Sequence, residues 1–129
     1  MKQRFSLLLI GILMAVSFVK ADVTFTVNVP SGTKYCYVVG GLPELSSWAA
    51  GAAVSMDKVA GKDQFTVTIP GITTADVAAS EGYKYICGPD WKYVEKTASG
   101  DEVTNRKTVG NPDEVAKWAS TYSPVGIVE

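Results

Sequence analysis

The chain has 129 residues, with 12 Lys and Arg against 13 Asp and Glu, two cysteines and no histidine, for a formal net charge of −1. Near-neutrality without a basic run excludes the concentrated Lys/Arg patch by which proteins displace counterions from nucleic acid. The lack of histidine excludes Ser-His-Asp and Cys-His catalysis together with the usual histidine-containing zinc sites.

Residues 1–21 have the composition of an export signal. Lys2 and Arg4 give a basic start, residues 6–18 form an uncharged apolar run, and Val19, Lys20 and Ala21 end it, which predicts cleavage after Ala21. The run falls short of the roughly 20 residues that cross a bilayer, and no cysteine lies beside Asp22 to carry a lipid, so no membrane anchor is expected. The expected product is secreted or periplasmic and comprises residues 22–129, the length of one ordinary domain. Loss of Lys2, Arg4 and Lys20 would leave 9 of the 12 basic residues against 13 acidic ones, a net charge of −4.

Residues 22–29 alternate polar Asp22, Thr24, Thr26 and Asn28 with apolar Val23, Phe25, Val27 and Val29, then stop at Pro30, Ser31 and Gly32, which predicts a strand and a turn. Residues 34–39 read as a second strand ended by Gly40 and Gly41, and residues 64–69 as another ended by Pro70 and Gly71. A turn or two of helix fits residues 74–81. Residues 83–87 turn through Gly88, Pro89 and Asp90 into residues 91–95, a hairpin pattern, and a further turn at 98–101 leads to residues 102–106. Residues 111–118 are the least clear, and residues 112–120 have helix-compatible spacing with Asp113 and Glu114 near the start. Short alternating runs between turn signals predict an all-β protein, an antiparallel β-sandwich of immunoglobulin-like outline. Cys36 and Cys87 each lie in an apolar run beside a tyrosine, which suits either two buried small hydrophobes or, after export, a disulfide.

Four segments in order carry a family pattern. Residues 37–48 run from an apolar strand through Gly40 and Gly41 and a loop with Leu42 and Leu45 to Trp48. Tyr83, Lys84, Tyr85 and Ile86 form an aromatic-Lys-aromatic-Ile strand, Asn105 and Arg106 form an Asn-Arg pair, and Val115 to Trp118 close the chain on a tryptophan. This arrangement resembles the starch-binding domains, the family-20 carbohydrate-binding modules, over residues 22 to about 118. The resemblance implies a non-catalytic module that binds an α-glucan such as starch, glycogen or a maltooligosaccharide. It also implies a site of two aromatic platforms, a lysine and polar side chains, with no cofactor and no metal.

The chemistry of such a site is simple. A sugar ring has a polar rim and an apolar face of C–H bonds, so an exposed Trp or Tyr desolvates the face while polar neighbours bond the hydroxyls. Trp48, flanked by Ser46 and Ser47 and by Ala49, Ala50 and Gly51, matches the first platform in a loop-like setting. Lys84 alternates with Tyr83 and Tyr85, so it faces out if they face in. Trp91 and Tyr93 compete for the second platform, and as a strand they share a face with Glu95; Glu95 and Asn105 would then supply hydroxyl-bonding groups. A second family site made by two tyrosines falls here near Gly32 and Val59, neither of which can stack, so one-to-one binding is expected.

Hydrolysis is not expected. It needs two carboxylates flanking a glycosidic bond at about 5 to 9 Å, whereas Glu44, Asp90, Glu95, Asp101 and Glu102 sit mostly in turn-like polar segments without calcium-loop spacing. A separate glucan-degrading enzyme or uptake protein is the implied companion. The rival reading is a β-sandwich whose exposed aromatics meet another protein, since Tyr and Trp are enriched on both kinds of surface.

Overall fold

The computed structural model of the protein describes residues 21–124. β1 (Asp22–Asn28) follows the sequence alternation, with Val23, Phe25 and Val27 buried between more exposed polar residues. It pairs antiparallel along its whole length with β5 (Gln64–Pro70), and Thr24 and Thr26 meet Thr68 and Thr66 side chain to side chain at 2.8 and 3.1 Å. β4 (Asp57–Lys58) joins β5, and β8 (Asp113–Glu114) joins β1 in parallel, completing a four-stranded sheet in the order β4-β5-β1-β8. A second sheet sets β2 (Tyr37–Gly40) between β3 (Val54–Ser55) and β6 (Tyr83–Ile86), and a third pairs β7 (Glu95–Lys96) with β9 (Lys117–Trp118). The fold is therefore all-β, with several largely antiparallel sheets and a few short helices.

One core joins the first two sheets. Val23, Phe25 and Val27 from β1, Phe65 and Ile69 from β5, Val38 from β2 and Tyr83 and Tyr85 from β6 belong to it. Phe25 meets Tyr83 edge to face at 5.0 Å between ring centroids. Each large side chain buried here contributes about 2 kcal/mol by removal of apolar surface from water. The two phenols reach out of this core to a shared acceptor: both Tyr83 and Tyr85 donate to Asp113 Oδ2 at 2.7 Å, and the Tyr83 hydroxyl also lies 3.1 Å from Thr108 O. The other face of the β2-β6 pair is also covered, by a smaller cluster of Val39, Ile86 and Ala50 with Tyr37, Trp48 and Val94 against it. β6 is consequently buried at all four positions.

Several sequence expectations are met at altered boundaries. The second strand starts at Tyr37 rather than residue 34. Helix α1 (Thr74–Ala79) forms within residues 74–81, where Thr73 and Asp76 complete a reciprocal capping box.

Other expectations are corrected. Residues 91–95 are not a strand: Trp91–Tyr93 is a turn of 3-10 helix capped by Asp90, and only then does β7 begin. Residues 102–106 make two isolated bridges, Lys96 to Glu102 and Tyr83 to Arg106, instead of a continuous strand. Residues 112–120 hold β8 and β9 rather than helix, because Asp113 is drawn inward by the two phenols and by the Gly110 amide. β3 and β4, two residues each, have no periodicity to read. Of the expected export signal only Ala21 falls within the described residues. Among the described residues no helix is long and apolar enough to cross a membrane.

Candidate functional site

Trp48 ends an irregular loop in which Ser46, Ser47 and Trp48 itself have left-handed backbones, at φ of 69°, 49° and 66°. Three such residues in succession are unfavourable for L-amino acids. The loop is held by short bonds: Leu42 O accepts from both Leu45 N and Ser47 N, and Ala49 N donates to Ser46 O. Buried Leu45 pins its middle. The indole is half-buried against Val39, Ile86 and Ala50, and its Nε1 donates to Glu81 Oε1 at 2.8 Å. Gly41 lets this happen, since a Cβ there would come within 3.2 Å of the Trp48 Nε1 and the Glu81 Cβ. The indole edge is thus fixed by a hydrogen bond.

Trp91 comes from the 3-10 turn after β6. Asp90 caps that turn by accepting from the Lys92 amide at 3.0 Å. Trp91 is 40% exposed, and its ring centroid lies 6.0 Å from that of Trp48 with the planes tilted by 44°. Two loops distant in sequence therefore bring two indoles side by side. Asn105 approaches from a third segment, donating from Nδ2 to the Glu81 backbone oxygen at 3.0 Å. Glu81 ties the group together through its side chain to Trp48 and its backbone to Asn105.

Lys84 lies on the face of β6 opposite Tyr83 and Tyr85, across from Val39 and in the row of Ile86. This is the face against which Trp48 packs. Its stem is covered, with the side chain only 8% exposed, and its ammonium pairs with the exposed Glu102 carboxylate at 3.1 Å. Hydrogen bonding to Lys84, and then its charge, hold the Glu102 carboxyl below the ordinary value. Alternation is obeyed, but this corrects the expectation of a solvent-facing lysine: the face is covered by the second cluster, and Lys84 is a buried residue at 6% exposure.

Tyr93 and Glu95 go elsewhere, and this corrects the alternation argument for them. The 3-10 turn rotates Tyr93 away from Trp91, so that it packs against the main core and meets Tyr122 at 5.1 Å between centroids. Glu95 is 1% exposed. Its Oε2 accepts from the Tyr85 amide and from Arg106 Nε, each at 3.0 Å, and its Oε1 accepts from Arg106 Nη2 at 2.6 Å. Burial disfavours the Arg106 charge, but the bonds to Glu95 and the charges of Glu95 and Asp113 outweigh it and hold the guanidinium above its ordinary value. Glu95 is a buried counterion with both oxygens engaged, and no oxygen of it faces the indoles.

Sequence reasoning missed Glu81. Its only local signal is Gly82, whose φ of +99° and close approach to the Arg106 carbonyl show that two backbones meet there. Of the expected site residues, then, the structure groups Trp48, Trp91 and Asn105 around Glu81, places Lys84 on the same sheet face, and separates Tyr93 and Glu95. Gly32 is exposed with φ of +89° and Val59 is half-buried, and neither presents a ring. A separate cleft of about 470 Å³ lies elsewhere, between the Thr33, Lys34, Tyr35 segment and Tyr122, with Cys87 and Trp118 in its wall. Among the described residues no group of three or more His, Cys, Asp or Glu could hold a metal ion.

No family model and no curated protein matches the chain. Among solved structures it is similar to the glycoside hydrolase family 15 glucoamylase from Hypocrea jecorina, at 22% identity and a TM-score of 0.44, over 78% of this chain and 17% of that one. The chain thus spans well under a fifth of the glucoamylase's length.

Proposed function

We propose that the chain is an exported, non-catalytic module of immunoglobulin-like β-sandwich form that binds an α-glucan at one site, on the faces of Trp48 and Trp91. The observation that carries the reading is the indole pair, 6.0 Å apart and tilted by 44°. Aromatic faces desolvate the C–H faces of pyranose rings. Two tilted platforms suit successive glucoses of a curved α-linked chain, whereas a flat β-linked ribbon calls for coplanar ones. The open setting fits a polysaccharide passing over the surface better than a small ligand held in a cavity.

Polar groups surround the platforms. Asn105 is exposed, with Oδ1 available to accept from a sugar hydroxyl, and Glu81 keeps a second carboxylate oxygen beside the indole edge. Lys84 lies on the same face of the sheet but is buried, with its ammonium paired to the exposed Glu102 carboxylate. Of the nearby carboxylates, Glu81 holds Trp48 through one oxygen and Glu102 pairs with Lys84, and the lowered Glu102 pKa is the reverse of what a general acid needs. A module of this kind delivers glucan to a separate degrading enzyme or uptake protein.

The test is electrophoresis of the protein through a native gel with and without soluble starch, with tryptophan fluorescence recorded on adding a cyclic maltooligosaccharide. Retardation by starch and a fluorescence change are the expected results. Equal mobility in both gels together with unchanged fluorescence would leave a protein partner as the reading for the indole pair. Release of reducing sugar from starch would overturn the non-catalytic assignment.

A further inference from the structure

We infer that Cys36 and Cys87 are placed to close a cross-strand disulfide, with Cys87 as the sulfur through which oxidation enters. The inference concerns the β2-β6 pair and is independent of glucan binding. β2 and β6 pair Tyr37 with Ile86, Val38 with Tyr85, Val39 with Lys84 and Gly40 with Tyr83. One further step in this antiparallel register sets Cys36 directly opposite Cys87. Both belong to the main core with Val38 and Tyr85, so the two thiols are on one face of the sheet.

The hydrogen-bond pattern fixes which kind of pair this is. Cys36 O accepts from Met56 N at 2.9 Å and Cys87 N donates to Tyr93 O at 3.0 Å, so each points away from the other strand. Two residues on, the Tyr85 amide likewise turns away from β2, to Glu95 Oε2. At the far end of the pair Gly41 N donates to Gly82 O at 3.0 Å, in phase with the alternation. Cys36 and Cys87 therefore form a non-hydrogen-bonded pair, the closer of the two antiparallel geometries, with Cα atoms about 4.5 Å apart. That separation falls within the range of roughly 4.4 to 6.8 Å that a disulfide spans.

Access differs between the two sulfurs. Cys36 is 1% exposed, and burial, followed by the nearby Cys87 and Glu95, pushes its thiol well above the ordinary value. Cys87 is itself 4% exposed and burial raises its thiol too, but it lines the cleft beside Tyr35 and Tyr122, and Cys36 does not. An oxidant that carries a disulfide, such as oxidised glutathione or a thiol oxidase, thus meets Cys87 first, from the cleft. The Cys87 thiolate attacks one oxidant sulfur, forming a mixed disulfide and releasing the other sulfur as a thiolate. The Cys36 thiolate then attacks Cys87 Sγ, the Cys36–Cys87 bond forms, and the second oxidant thiolate leaves. Two electrons pass to the oxidant's sulfurs, and the two thiol protons end on the released thiolates or in solvent.

The experiment equilibrates the folded protein with oxidised and reduced glutathione, samples it over time by acid quench, then denatures, alkylates and digests it without reduction. Trypsin separates Cys36 in residues 35–58 from Cys87 in residues 85–92. The expected outcome is a product lighter by two hydrogens, with these peptides joined and a transient glutathione adduct confined to Cys87. Cys36→Ser should trap that adduct, and Cys87→Ser should take up none while folded. If either variant fails to fold, the wild-type time course decides alone. Two alkylated cysteines at equilibrium, a persistent adduct at Cys87, a first adduct at Cys36, or bridges between molecules would each overturn the inference.

Discussion

Trp91 and Trp48 would contribute to the proposed site on unequal terms, and the difference is testable at single residues. Trp91 is 40% exposed and packs little, so Trp91→Ala should lower glucan affinity by tenfold or more, about 1.4 kcal/mol, with unfolding free energy unchanged within about 0.5 kcal/mol. Trp48 is half-buried on Val39 and Ile86, so Trp48→Ala should weaken binding at least as much and also destabilise by about 1 to 2 kcal/mol. Calorimetric titration and urea unfolding of both variants separate these effects. Glu95 behaves in the opposite way. Its removal strands Arg106 and the Tyr85 amide, so Glu95→Ala should destabilise by about 3 to 5 kcal/mol while the folded fraction keeps its glucan affinity. Lost affinity in a folded Glu95→Ala protein would return this carboxylate to the site.

At the level of elements, the strands with one covered face were legible, and of the two loops that carry the proposed site the one ending at Trp48 was read as a loop while the 3-10 turn of Trp91 was not. β1 could be read from its alternation because its polar residues meet water or the outer threonines. β6 could be placed, but the burial of Lys84 could not, because the face it shares with Ile86 is covered by a cluster that Ala50 and Trp48 join from a separate loop. The error at residues 91–95 came from treating alternating side chains as a strand where Asp90 caps a 3-10 turn. Loop closure depends on backbone contact at glycine. A Cβ on Gly82 would lie 2.5 Å from the Arg106 carbonyl oxygen at a φ of +99°, so Gly82→Ala should destabilise by about 2 kcal/mol or more and loosen the Glu81 contacts to Trp48 and Asn105. Urea unfolding monitors the first effect, and the starch-gel assay on the folded variant monitors the second. An alanine tolerated without loss would mean that β6 and residues 105–106 are not held as closely as their hydrogen bonds imply.

For the whole molecule, the buried phenols set behaviour at alkaline pH. Burial, with Asp113 accepting from both hydroxyls, raises the pKa of Tyr83 and Tyr85 above the value of about 10 found in unfolded chains. A group whose folded pKa is raised stabilises fully below the unfolded pKa, and that stability is lost as pH climbs beyond it toward the folded value. Stability should therefore hold up to about pH 10 and decline above it. Tyrosinate absorbance should show Tyr83 and Tyr85 ionising only together with unfolding. Independent ionisation of all six tyrosines in a still-folded protein would contradict the network. Binding stoichiometry is also a property of the whole surface: with Gly32 and Val59 in place of a second aromatic pair, one glucan site per chain is expected by calorimetry. A stoichiometry of two would direct attention to the exposed Tyr35.

The amino-acid sequence by itself determined the all-β class, the main strands and the aromatic residues able to meet a sugar, because period-two burial and turn chemistry are local properties. It also singled out Trp48 and Asn105, through a family pattern rather than through physics. Only the tertiary structure decided that Trp91 rather than Tyr93 stands beside Trp48, that Glu95 is spent on Arg106, and that Glu81 joins the loop to the sheet. Each of these depends on which segments meet across the β2-β6 pair, and that is settled by the packing of the shared core and the partners of its buried polar groups.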